Sequence, residues 1–232
     1  MSSVQILHKD IETGEETVVI VIDGDLIKKH SKTVRDIIDS RTEKEVVNKI
    51  VLKGPEYDAL KYVLEQIVES AGRKKPVLNI NLGHRSVLSS LRIHRAIKCL
   101  QIQPEQAGVP ARINRMLSHE LATVSEMLAV HAAYASVDNP HGKLYNTMLH
   151  TIAWRFVNDE EMKEGRKKQL FEAAQSQPDL FEAIGAKVRE FQEKKRVRAI
   201  IAEKRRVRDE KNRVAAEAAA ANGEGGSGGS GW

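Results

Sequence analysis

Residues 18–31 read VVIVIDGDLIKKHS. Five apolar residues run into Asp23-Gly24-Asp25, and a basic, polar segment follows. The role of that DGD decides how the N-terminal half folds. Two acids around a glycine can hold a metal, turn a hairpin, or end a strand and start a helix. The neighbouring residues separate these readings. VQILHKD (4–10) and TVVIVID (17–23) are β-type runs, and the IETGEE between them carries Gly14, a hairpin signal. The turn belongs at Gly14, so DGD is the exit of the second strand. After it, Leu26, Ile27, Val34, Ile37 and Ile38 recur at helical spacing. Asp23 or Asp25 then sits at an N-cap, where a carboxylate accepts hydrogen bonds from first-turn N–H groups. A calcium loop of the EF-hand type needs further acids and a closing glutamate, and KKHSKT supplies neither.

Working outward, NKIVLKG (48–54) is a third short strand, and Pro55 opens a helix, PEYDALKYVLEQIVES. Tyr57, Leu60, Val63, Leu64 and Ile67 form its apolar stripe. AGRKKP (71–76) breaks the chain, and PVLNINL (76–82) reads as a short edge strand. A helix follows over Ser86–Ile102, with Leu88, Leu91, Ala96 and Leu100 among its apolar positions. Ile113, Met116, Leu117, Leu121, Val124 and Leu128 predict one helix over 111–137. DNPHG (138–142) is a turn, LYNTMLHTIAWRFV is helical, and Trp154 on that apolar helix is expected in the core. Further helices are expected over 160–174 and from Pro178, the last running as one charged helix to about Ala221. Acids at a helix start favour its dipole, which accounts for Glu160-Glu161. The expected order is β-β-α-β-α, a short strand, then helices only: an α+β fold with a helical extension.

Composition agrees with this plan. Length suits one domain plus an extension, and aromatics are only 4% of 232 residues, so Leu, Ile, Val and Ala must build the core. No run approaches the ~18–20 apolar residues of a membrane span, so no membrane association is expected. MSSVQILHKD lacks the layout of a signal peptide. Cys99 stands alone, so no internal disulfide forms, and nucleus or cytoplasm is the expected compartment.

The order of elements, with these residues, resembles the BTB/POZ fold, a small β-sheet flanked by helices. The likeness is best with the divergent BTB proteins of fungi and extends to the small POZ-fold adaptors of cullin ubiquitin ligases. LIKKHSKTVRDII (26–38) is similar to the family's first helical hairpin, with Leu26, Ser31 and Val34 on its leucine, serine and usually aromatic positions. KIVLKGPEYDALKYVLEQI (49–67) is similar to the strand and helix in which a bulky residue, here Tyr57, follows a proline-acid start. LRIHRAIKCLQI (91–102) resembles the helix closing on a leucine-alanine-x-x-leucine pattern, carried by Ala96, Leu100 and Ile102. Tyr134, NPHG, Ala153-Trp154 and PDLFEAI (178–184) resemble the helical region that often follows in fungal members. The usual Tyr-Thr-Gly type turn is replaced by ESAGRKK. The resemblance covers residues 4–185. It implies a BTB/POZ-like domain over 1–105 and a helical extension over 106–186 packed on it. It also implies a non-catalytic interaction module whose partners are proteins, through a homodimer or through docking. A cullin partner would make the chain a ubiquitin-ligase adaptor; a transcription-related adaptor is the other such role.

Chemistry-bearing constellations are sparse. GEGGSGGSG lacks the strand and helix of a phosphate loop. His94 and Cys99 point to different sides of a helix, with no CxxC or HxxxH in support. A small buried thiol is the expected state of Cys99. No nucleophile, base and orienting group assemble. The expectation is a non-enzyme with no cofactor and no metal.

The basic helix, 187–221, is the unusual feature, and the Gly/Ser tail 222–232 after it is expected to be disordered. Between Lys187 and Arg213 stand twelve Lys or Arg against five Asp or Glu, a net +7, so the rest of the chain is slightly acidic. KKRVR (194–198) and EKRRVR (203–208) are near-repeats about ten residues apart, which is close to three helical turns. Lys194, Lys195, Arg196, Arg198, Lys204, Arg205, Arg206 and Arg208 are therefore candidate contacts for a partner or a nucleic acid. The competing reading is a solvated helix with Glu190, Glu193, Glu203 and Glu210 as local partners. Val197, Ile200, Ile201 and Val207 form a thin apolar stripe, which could pack on the domain or on a second copy. Phe191 is the segment's one aromatic, which disfavours base stacking on single strands.

Overall fold

Among the described residues, the three runs rich in β-branched residues form the sheet. In the computed structural model, residues 3–40, 49–72, 78–119, 122–135, 142–158 and 164–223 are described, with side chains described to Ala218 in the last stretch. Strands β1 (Ser3–Lys9) and β2 (Glu16–Asp23) pair antiparallel, and β3 (Lys49–Lys53) joins β1 in parallel, giving the order β2-β1-β3. The hairpin turns where expected. Gly14 has φ +72°, and Asp10 accepts from the backbone N–H groups of Glu12 at 2.8 Å and Thr13 at 2.9 Å. The register slips between Ile6 and Leu7, which pair with Ile20 and Val18 and leave Val19 as a bulge.

The DGD is a strand exit and a helix cap. Asp23 is the N-cap of α1 (Gly24–His30), accepting from the Leu26 N–H at 2.9 Å. Ser31 separates α1 from α2 (Lys32–Asp39) and caps the latter through the Val34 N–H. After β3, α3 (Tyr57–Ala71) begins with Glu56 as N-cap, so Pro55 lies before the helix rather than in its first turn. Arg92 and Arg95 of α4 (Val87–Leu100) reach the Glu56 carboxylate at 3.7 and 3.4 Å, tying α3 to α4.

Two sequence expectations are corrected here. Residues 78–82 are not a strand. Leu78, Ile80 and Leu82 alternate into the core, but at 78–80 this extended chain is met by a side chain instead of a strand. The Gln106 amide accepts from the Ile80 N–H at 3.0 Å and donates to the Leu78 carbonyl at 3.3 Å. Likewise, the single helix expected over 111–137 is two, α5 (Gly108–His119) and α6 (Val124–Tyr134). Thr123 and Glu126 form a capping box that starts α6 afresh.

Helices α7 (Gly142–Asn158), α8 (Glu164–Gln175) and α9 (Pro178–Gly223) complete the chain. One hydrophobic core runs without a break from Val4 in β1 to Ile184 in α9, so sheet and later helices share it. The expected DNPHG turn up to His141, the Glu160-Glu161 helix start, the break at 73–76 and the tail from 224 lie outside the described residues.

Candidate functional site

Pro178 occupies the first helical position of α9, where its missing N–H costs no hydrogen bond, and Asp179 complements the dipole. The first turns pack on α7 and α8, with Leu180 and Ile184 buried. From Gln192 to Ala218 every residue is exposed. No proline interrupts this stretch, and pairs one turn apart hold it: Glu190 with Lys187 and Lys194, Glu193 with Arg196, Glu203 with Arg206, Glu210 with Arg213. Pairs this exposed add little to stability. Glu190 is the most tightly held: hydrogen bonds from Lys187 and then Lys194 pull its carboxyl down to about 2.

All eight predicted contact residues lie on this exposed stretch, and they divide by partner. Lys194, Arg196, Arg206 and Arg208 each meet a carboxylate of their own helix, Asp209 serving Arg208 at 3.8 Å. Lys195 turns back and donates to the Val157 carbonyl at the end of α7, at 3.3 Å. Arg198, Lys204 and Arg205 make no hydrogen bond or ion pair to another described residue. On a helix, 198 and 205 share a face, and Lys194 stands one turn before them on the same side. The near-repeats therefore do not act as equivalents: Arg198, Lys204 and Arg205 are the ones that no described carboxylate engages.

The root of the exposed stretch carries what the sequence hid. Phe191 stands edge-on to His150 of α7, with ring centroids 4.8 Å apart, and the Lys194 ammonium lies 5.6 Å from the Phe191 ring centre. One turn along α7, Trp154 is 44% exposed, against the expectation that it fills the core. Met148, Leu149 and Ile152 occupy the buried side of α7, and two residues beyond Ile152 the side chain points elsewhere. The Arg155 guanidinium lies 5.7 Å from the Trp154 ring centre. His150, Thr151, Trp154, Arg155 and Ser118 line an open groove of about 280 Å³. Periodicity along α7 was the one signal that could have placed Trp154 outside.

Elsewhere, two of the stretches that carry the family resemblance meet. Ser31 is fully buried between the first helical hairpin and the end of α4. Its hydroxyl donates to the Leu100 carbonyl at 2.7 Å, and its backbone bridges to Ile102. Thr33 donates to the Cys99 carbonyl at 2.7 Å, and the Gln103 N–H donates to the His30 carbonyl at 2.8 Å. Cys99 itself is half-buried rather than buried, and burial pushes its thiol up. His94, on the same helix, is buried and shares a 2.7 Å hydrogen bond with the Tyr134 hydroxyl of α6.

On the sheet, Val4, Ile6, Ile22, Ile50 and Leu52 are buried. Leu7 lies opposite both Val18 and Val51, an apolar row across three strands, and Val21 faces Gln5 one row on. Val18 is 46% exposed and Val21 55%. Among the described residues, no three His, Cys, Asp or Glu side chains gather, and no helix is long and apolar enough to cross a membrane. No family model matches the chain, and no curated protein matches its sequence.

Proposed function

We propose that the chain is a non-catalytic protein–protein interaction module of the BTB/POZ type, acting by self-association or by docking a partner. The observation that carries this reading is the junction at Ser31. Two stretches singled out for their family likeness, 26–38 and 91–102, are far apart in sequence and are stitched together by a buried serine at the family's serine position. The order strand, strand, helical hairpin, strand, helices supports it too. The exposed valines of β2 give such a module a surface on which to act. The test is affinity capture from nuclease-treated cell extract with the full chain and with Val18→Lys/Val21→Lys. Proteins lost with the substitutions support docking through the sheet, and a cullin among them identifies an adaptor. A retrieved set that ignores the substitutions overturns this surface.

A second reading has its own observation. Arg198, Lys204 and Arg205 stand on the exposed stretch without an ion pair to another described residue, and phosphates would suit them as partners. In that reading the protein is nucleic-acid-associated through 187–213. Binding of a ~30-nucleotide duplex at ~50 mM salt, weakening with a log–log slope near −0.9 per phosphate neutralised, is the expected signature. Arg198→Gln/Lys204→Gln/Arg205→Gln flattens that slope. Undetectable binding at that salt removes this reading.

A further inference from the structure

The apolar stripe of α9 is left uncovered by the described residues. Val197, Ile200, Ile201, Val207 and Val214 are 42 to 53% exposed. Their spacing is a heptad. Ile200, Val207 and Val214 recur every seven residues at d, and Val197, Lys204 and Lys211 recur every seven at a. A strict seven-residue repeat drifts on a straight helix and is restored to a seam by left-handed supercoiling about a partner helix.

We infer that the occupant of this seam is a second copy of the same helix, in parallel and in register. The charges beside the seam select both partner and direction. Arg196, Glu203, Glu210 and Glu217 stand at the g positions, and Ile201 and Arg208 stand at e. In a parallel pair g faces the e position of the next heptad, so Glu203 of each copy meets Arg208 of the other. The seam lysines are served too: Lys204 and Lys211 at a each lie beside the other copy's g residue, Glu203 and Glu210. An antiparallel pair instead sets g against g: Arg196 then meets Glu217, but Glu203 and Glu210 repel and Arg208 at e meets no acid. The ion pairs these residues make within α9 are exposed and weak, so exchanging them costs little. The free cations Arg198 and Arg205 fall at b, away from the seam, and stay available to solvent. Two lysines in the seam weaken the pair while fixing its register.

The test uses the full chain carrying Cys99→Ala, with mass read by sedimentation equilibrium at roughly 100 μM, a range where weak pairs are populated. The expected result is a dimer. Ile200→Lys/Val207→Lys, with unchanged helical circular dichroism, weakens association at least ~100-fold, because four apolar side chains leave the contact. Under mild oxidation Val214→Cys cross-links, since d positions face each other in a parallel pair, whereas Arg205→Cys does not. A monomer at that concentration overturns the inference. So does a dimer that survives the seam substitutions, which would point to the sheet domain instead, or equal cross-linking at 214 and 205.

Discussion

Ser31 has no exposed surface and makes three attachments: its hydroxyl accepts from Val34, donates to Leu100, and its backbone bridges to Ile102. Ser31→Ala therefore removes a cap, about 1 kcal/mol, and leaves a buried carbonyl unsatisfied, about 1–3 kcal/mol. Denaturant unfolding should show a combined loss of about 2–4 kcal/mol. Ser86→Ala, at an exposed cap that accepts from Ser89 at 3.3 Å, should cost only ~0.5 kcal/mol. Tyr134 makes a second prediction. Burial pushes its hydroxyl up to about 12, despite the opposing pull of Arg95. The folded state thus holds the proton more tightly than the unfolded chain, whose tyrosine titrates near 10. This contribution is whole below pH 10 and is lost as pH rises through 12. The stability advantage of the native chain over Tyr134→Phe should accordingly shrink across that window, as measured by urea unfolding at successive pH values.

Among the elements, α9 is the clearest case of a helix made by its own sequence. From Gln192 to Ala218 every residue is exposed, and Lys195 supplies a hydrogen bond back to the body. Ala199→Pro should melt helix locally, since proline costs about 3 kcal/mol in a helix interior. Ellipticity should drop while the thermal midpoint of the body stays put. At this scale the sequence was informative where structure is local. The Gly14 turn, the Asp23 cap and the run of α9 past Ala199 all follow from residues a few positions apart. It was less so where two local signals compete. Apolar periodicity continues across 119–124, which hid the break between α5 and α6, although Thr123-x-x-Glu126 marks a helix start. It was silent where the partner is distant. Nothing near Ser31 announces Leu100, nothing near His94 announces Tyr134, and Gln106 standing in for a strand beside residues 78–80 has no local signature. The candidate cations were legible as a group. Which of them stay free depends on side-chain reach to Glu193, Glu203 and Asp209, and periodicity does not encode that.

For the molecule as a whole, the unbroken core from Val4 to Ile184 has a thermodynamic consequence. The sheet and the helices after it should unfold in one transition, so calorimetric and van't Hoff enthalpies of the full chain should agree. Limited trypsin should first cut within 194–213, where lysines and arginines are exposed, and leave a resistant fragment ending near Arg189. Early cuts after Arg112 or Arg115, the first trypsin sites past residue 105, would contradict the shared core.

The exposed part of α9 also governs how the protein moves through water. At ~1.5 Å per residue, the helix from Gln192 to Gly223 extends roughly 48 Å. The body of about 185 residues has a radius of gyration near 16 Å. A rod about three times that radius drags on a small sphere and makes its tumbling anisotropic. Diluted until copies no longer pair, the chain should therefore elute from a sizing column ahead of its mass, while light scattering returns the 25.9 kDa of one chain. Amide groups near the tip should relax as though attached to a far larger particle about one axis and a small one about the other.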